Sequence, residues 1–164
     1  MRNYEEVYAN MARFLENSPF LKKAVIWLNH YITYVMYLAY PLFLLITFFQ
    51  GEFQWKWVLV PAVGFSLLSL VRKLINAPRP YEVYTIQPLI EKTTKGNSMP
   101  SRHVFSATII SMCFLSHHIG LGGLGLFLSV TLAVCRVLVG VHFPRDVLMG
   151  FSLGMLAGSI LFMM

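Results

Sequence analysis

Between Ala24 and Phe49 the chain carries no Lys, Arg, Asp or Glu, and a run of that length crosses a ~30 Å hydrocarbon layer as a helix with residues to spare. Pro41 lies inside it and marks a place where such a helix bends. The composition agrees. Of the 164 residues 57% are hydrophobic and 12% charged, with 13 Phe, 9 Met and a mean hydropathy of +0.63, more apolar surface than a soluble fold this small can hide. Intrinsic disorder, collagen-like rods and coiled coils are excluded on the same figures. The two cysteines, Cys113 and Cys135, sit in apolar runs and read as small buried hydrophobes rather than as a disulfide framework or zinc site.

Four more spans follow from the pattern. Gln50 to Lys56 is a polar turn flanked by the interfacial Trp55 and Trp57, and Trp57 to Ile75 forms the second span. Asn76 to Arg102, with Pro78, Pro80, Pro88, Gly96 and Pro100, reads as a loop outside the hydrocarbon holding at most a short helix. His103 to about Leu115, Leu124 to Val139 and Val147 to Met164 form the third, fourth and fifth spans, with Gly120 to Gly125 as a turn. Gly150, Gly154 and Gly158 recur every four residues, a spacing that favours close helix packing.

Ahead of the first span, Tyr4, Val7, Tyr8, Met11, Phe14 and Leu15 recur at helical spacing opposite Glu5, Glu6, Asn10, Arg13 and Glu16. Asn3 with Glu6 makes a capping box, and Pro19 a stop. This segment is expected to lie in the membrane interface, and no cleaved leader is expected. The expected architecture is an all-α, polytopic membrane helix bundle of about five transmembrane helices with an interfacial amphipathic helix. It forms a single domain over 1–164, with the interfacial helix in 1–22 and an active-site loop at 76–102.

Alternating the spans brings the loop 76–102 and the segment from Arg136 to Asp146 to one face, with every one of the 13 Lys and Arg except Lys56. The net charge of +6 would suit nucleic acid, anionic lipid or a phosphate-bearing substrate. Its placement decides for the phosphate. Arg72 with Arg79-Pro80, then Pro100-Ser101-Arg102-His103, then Arg136 with His142 and Asp146 all fall at span ends. Ionisable groups at that depth are functional candidates.

Guanidinium forks on Arg79 and Arg136 match the oxygens of a transferring phosphoryl group, and Ser101 sits where the free N–H groups of a helix start favour an anion. If Pro144 opens the fifth span, Asp146 reaches back to one ring nitrogen of His142 and leaves the other free to attack phosphorus. Arg102 and Arg145 taken alone read as solvated or lipid-facing charges. His30 has no such company, and His117 and His118 fall on the opposite face.

The ordered set resembles the type 2 phosphatidic acid phosphatase superfamily, integral-membrane lipid phosphatases related to vanadium haloperoxidases. Their signature is Lys, six residues, Arg-Pro; then Pro-Ser-Gly-His; then Ser-Arg, five residues, His, three residues, Asp. Here it reads Arg72 with Arg79-Pro80, Pro100-Ser101-Arg102-His103, and Cys135-Arg136 with His142 and Asp146. Arg72 stands for the Lys, Arg102 for the Gly and Cys135 for the Ser. Arg102 adds a guanidinium that offers a further phosphate contact. The family usually has six spans, against five and an interfacial helix here.

The resemblance implies metal-independent, two-step hydrolysis without a cofactor. His142 is the nucleophile, Asp146 steadies it, His103 is acid then base, and Arg72, Arg79, Ser101, Arg102 and Arg136 bind phosphate. The implied substrate is a lipid phosphate or diphosphate drawn from the membrane. Undecaprenyl diphosphate is favoured, and phosphatidylglycerophosphate and phosphatidic acid are the alternatives. A silent protein that binds or moves phospholipids is the reading from another class, and intact His103, His142 and Asp146 argue against it. The charge asymmetry puts the site in the cytoplasm, while the resemblance puts it outside. Because an interface-held N-terminal helix weakens the charge argument, the extracytoplasmic face is the expectation.

Overall fold

The computed structural model describes residues 4–163. Its elements are α1 (Tyr4–Glu16), α2 (Pro19–Phe49), α3 (Lys56–Ile75), a single turn α4 (Pro80–Val83), α5 (Arg102–His117), α6 (Ile119–Leu138) and α7 (Pro144–Ser159), which runs on into a 3-10 turn at Ile160–Phe162. The expected capping residue Asn3 lies outside the described residues. Pro19 does separate the first two helices, but as the opening residue of α2, where its missing N–H costs no bond. Asn76 ends α3 in the left-handed conformation at φ 42°, which short polar side chains tolerate.

Among the described residues four helices are long and apolar enough to cross a membrane: α2, α3, with which α4 is grouped, α6, and α7 with its 3-10 extension. The fifth expected span, α5, is different in kind. It is short and rich in Ser and Thr, and every residue from Val104 to Phe114 is buried. It contacts α2, α3, α6 and α7, so it needs neither the length nor the apolarity of a helix that faces lipid. By contrast α2 turns Trp27, Leu38, Leu42, Leu45 and Phe49 outward and buries Ile32, Met36 and Phe43. That is the pattern of a helix with lipid on one side.

Small residues bring α5 and α7 together. A Cβ on Gly150 would lie 2.6 Å from the Ser101 carbonyl oxygen, and one on Gly154 would lie 2.7 Å from the Thr108 Cβ. Neither separation is sterically tolerable. The close-packing reading of that four-residue repeat therefore holds. The expected turn at Gly120–Gly125 does not: these residues are helical, the first turns of α6, and His118 alone separates α5 from α6. Gly122 and Gly125 face Leu115 and Ser111 of α5 so closely that side chains there would collide. These glycines serve packing, where lipid and neighbouring helices hold the backbone helical despite its propensity.

Candidate active site

Four helix ends converge at one face of the bundle. The C-terminal turns of α3 and α6 carry Arg72 and Arg136, where a cation complements the partial negative charge of the helix end. The N-termini of α5 and α7 carry Ser101, Arg102 and His103, and Asp146. The loop between α3 and α5 closes over them and is firmly tied. Glu82 accepts the backbone N–H groups of Arg79 and Gly96, both at 2.8 Å, Ser98 N donates to the Ala77 carbonyl at 2.8 Å, and Leu89 N donates to the Val139 carbonyl at 3.0 Å.

Between loop and helices lies a cavity of about 230 Å³ whose walls include Arg72, Arg79, Arg102, Arg136, His103 and His142, joined by Lys92 and Lys95. Among the described residues no carboxylate lines it. Backbone or amide oxygens anchor three of the guanidiniums. Arg72 Nη1 donates to Pro100 O at 2.8 Å, and Arg79 donates to Gly96 O at 3.2 Å and Val141 O at 3.3 Å. Arg136 Nη1 donates to Asn29 Oδ1 at 3.4 Å, while its buried Nε has no partner among the described residues. Fixed forks with N–H groups to spare form a seat for a tetrahedral anion.

Pro144 does open α7, and Asp146 Oδ2 stands 3.5 Å from His142 Nδ1, both side chains buried. A third residue intervenes. Ser98 Oγ donates to Asp146 Oδ2 at 2.5 Å and sits 3.3 Å from His142 Nδ1. With its own proton given to the carboxylate, that hydroxyl accepts from Nδ1–H. The proton therefore resides on Nδ1, and Nε2 is the basic nitrogen. Asp146 Oδ2 also accepts the Phe143 N–H at 3.0 Å. Burial, reinforced by Arg136 and Arg79, pushes His142 down to about 4 against the pull of the Asp146 hydrogen bond, so the imidazole is neutral near pH 7.

Of the residues expected from sequence, Arg72, Arg79, Arg102, Arg136, His103 and His142 reach the cavity wall, and Asp146 stands behind His142. Ser101 is set deeper. It is fully buried, its hydroxyl has no partner among the described residues, and its N–H donates to the Asp146 carbonyl at 2.9 Å. Arg145, 65% exposed, lies over the Phe143 ring at 5.0 Å and not on the cavity. Sequence reasoning passed over Ser98, Lys92, Lys95 and Asn29. A buried Asn inside the first apolar run, on the side of the arginines, was the one available signal among these.

Fold and site together define a membrane helix bundle with a cavity in which Arg and Lys side chains gather beside a neutral, oriented imidazole. The chain belongs to the PAP2 superfamily, whose family model matches residues 54–164, and it is a membrane phosphatase of that family, a phosphoric ester hydrolase. It is 28% identical over 137 residues to the undecaprenyl-diphosphatase BcrC of Bacillus subtilis, covering 80% of this chain and 70% of that protein. The crystal structure of LpxE from Aquifex aeolicus superposes with a TM-score of 0.71 at 23% identity, covering 95% of this chain and 94% of that one. That of the transmembrane PAP2-type phosphatidylglycerolphosphate phosphatase from Bacillus subtilis gives 0.64 at 23%, covering 98% and 95%. These two likenesses concern the fold.

Proposed function

We propose that the protein removes phosphate from a membrane lipid phosphate or diphosphate through a phosphohistidine, with undecaprenyl diphosphate the favoured substrate. The observation that carries the reading is the pairing of His142 Nδ1 with Ser98 and Asp146, which leaves Nε2 as the nucleophile beside a cavity lined only by cations among its charged groups. Nε2 attacks phosphorus, the P–O bond to the leaving group breaks, and the departing oxygen takes a proton from His103. Water then attacks the phosphorus, giving its proton to His103, the P–N bond breaks with its electron pair returning to Nε2, and inorganic phosphate leaves.

Arg72, Arg79, Arg102 and Arg136 bear the charge of the five-coordinate transition state, and Ser101, whose hydroxyl has no partner among the described residues, joins them only if the wall in front of it opens to the bound phosphate. A wall of that sign repels a divalent cation, which supports hydrolysis without a metal. The preference for a polyprenyl diphosphate rests on the name of the Bacillus subtilis relative; phosphatidylglycerophosphate and phosphatidic acid are the alternatives within the same chemistry. An extracytoplasmic site is supported by where the charges go. Among the basic residues of that face outside the site, Arg13 lies on α1 and Lys22 and Lys23 at the start of α2, and an N-terminal helix held at the interface counts less as a charged loop.

The test is phosphate release by detergent-solubilised protein with chelator present, over a panel of lipid phosphates and diphosphates. Wild type is expected to turn over at least one of them, and His142→Ala to fall by three orders of magnitude or more, roughly the cost of losing a nucleophile, with its elution profile unchanged. Persisting activity in that variant would remove His142 from the mechanism. Binding without turnover by wild type would favour a lipid-binding protein.

A further inference from the structure

Helix α1 enters none of the chemistry derived above, yet its inner side rests on the chain segments that carry that chemistry. Tyr8 and Leu15 are its buried residues, while Val7 and Phe14 are exposed and turn away from the protein. Tyr4 and Tyr8, one helical turn apart, reach the loop between α3 and α5 and the turn between α6 and α7. The Tyr8 hydroxyl donates to the Gln87 carbonyl at 3.3 Å. It also lies against Gly140, which has a φ of +79° and where a Cβ would collide with that hydroxyl. Leu89 and Val139, already bonded to each other, are close in sequence to these two contacts, so Tyr8 adds a second tie between loop and turn.

Tyr4 sits between two rings. Its centroid is 4.9 Å from that of Phe143 and 5.3 Å from that of Tyr84, whereas Phe143 and Tyr84 are 6.2 Å from each other. The middle ring therefore holds the cluster together. Its hydroxyl is buried with no partner among the described residues, so the ring is the part that acts. Phe143 follows His142 directly and caps α7. Its N–H donates to Asp146 Oδ2 at 3.0 Å, and its carbonyl accepts the Asp146 N–H at 3.0 Å. A displacement of Phe143 is therefore passed to the carboxylate that orients the nucleophile.

We infer that α1 is a positioning element of the active site: the Tyr4 ring, acting through Phe143, keeps the Asp146 carboxylate in register with His142, and Tyr8 fastens the loop that carries Lys92, Lys95 and Ser98 to the turn that carries His142. The inference rests on the mechanism proposed above and adds to it two residues from the opposite end of the chain. Neither touches the phosphate cavity. The two should act on different steps. Tyr4 bears on the nucleophile and so on turnover, and Tyr8 bears on the loop lysines and so on substrate binding.

The experiment pairs phosphate release from farnesyl diphosphate by the full-length protein with nitrogen NMR of its 15N-labelled histidines, the His142 signals being those missing from His142→Ala. Tyr4→Ala should lower kcat by about 10–100-fold, the scale of a slightly displaced catalytic group, with KM within about twofold of wild type. It should also replace the single Nδ1–H tautomer of His142 by an exchanging mixture. Tyr4→Phe should restore most of the turnover and the single tautomer. Tyr8→Phe should raise KM by about threefold, the scale of one hydrogen bond, and leave the tautomer as it is. A Tyr4→Ala protein with wild-type kcat and an unaltered histidine spectrum overturns the inference, as does a loss that Tyr4→Phe fails to restore. Tyr4→Leu, which keeps the apolar bulk without the ring, carries the same comparison should the alanine variant not fold. A wild type that releases no phosphate overturns the mechanism, and the spectra alone then decide whether Tyr4 holds His142 in one tautomer.

Discussion

Each end of the bundle holds a histidine close to a carboxylate, and the two pairs have almost nothing else in common. At the site end His142 and Asp146 stand 3.5 Å apart, 2% and 0% exposed. At the other end His117 and Glu52 stand 3.7 Å apart, 27% and 59% exposed, with the His117 ring held against Phe43 and Trp57 at 5.6 and 5.5 Å. Separation says little about function. The buried pair has a serine wedged into it, a backbone N–H on the same oxygen, and arginines across the cavity, so its tautomer is fixed. The exposed pair is screened by water and head groups, and its energy is small.

Disrupting each pair should sharpen that contrast. Asp146→Asn keeps the volume but weakens the hold on the Nδ1 proton, and phosphate release should drop by roughly 10²–10³-fold in kcat, in line with the loss of an orienting carboxylate. Ser98→Ala leaves the 3.5 Å approach of Asp146 to His142 in place and should cost about tenfold in kcat with KM nearly unchanged, the scale of one buried hydrogen bond; Ser98→Thr should recover most of it.

Acid should act on the buried pair through folding. The unfolded chain takes up a proton near pH 6.5, whereas native His142 stays neutral down to about 4. Its contribution to stability is complete above pH 6.5 and is lost as the pH falls toward 4. A thermal-unfolding series in detergent should show Tm falling over that window, and falling less in His142→Ala. Last and smallest, Glu52→Gln should leave activity within about twofold and stability within about 1 kcal/mol, as exposed pairs do. A large loss there would show that the far end is coupled to the site.

The cavity wall was legible because the chemistry is written at fixed short intervals. Arg136, His142 and Asp146 keep their spacing through a loop and one helical turn, and Pro144 announces where that turn begins. Ser98, Lys92 and Lys95 were not legible in the same way, because a loop's side chains point wherever its ties to Ala77, Glu82 and Val139 direct them, and those ties carry no periodic signal. Asn29 needed a helix distant in sequence to be seen beside Arg136. The error at Gly120–Gly125 has another cause: glycine propensity is measured against water, which is not the competitor inside a bundle. For α5 the burial is so complete that hydropathy, which reads exposure to lipid, understates its depth.

The single residue joining α5 to α6 has a consequence for how this protein is made. Arg102, His103 and a run of hydroxyls make α5 a poor candidate for entering the bilayer by itself, while α6 is strongly apolar and follows after His118 alone. A linkage that short obliges the two to be handed over by the insertion machinery as one antiparallel hairpin, the second helix carrying the first. The polar partner, covered by α2, α3 and α6, then stays open on its α7 side until α7 arrives, so truncating the chain after Leu138 should yield a nascent product that is rapidly cleared by quality-control proteases.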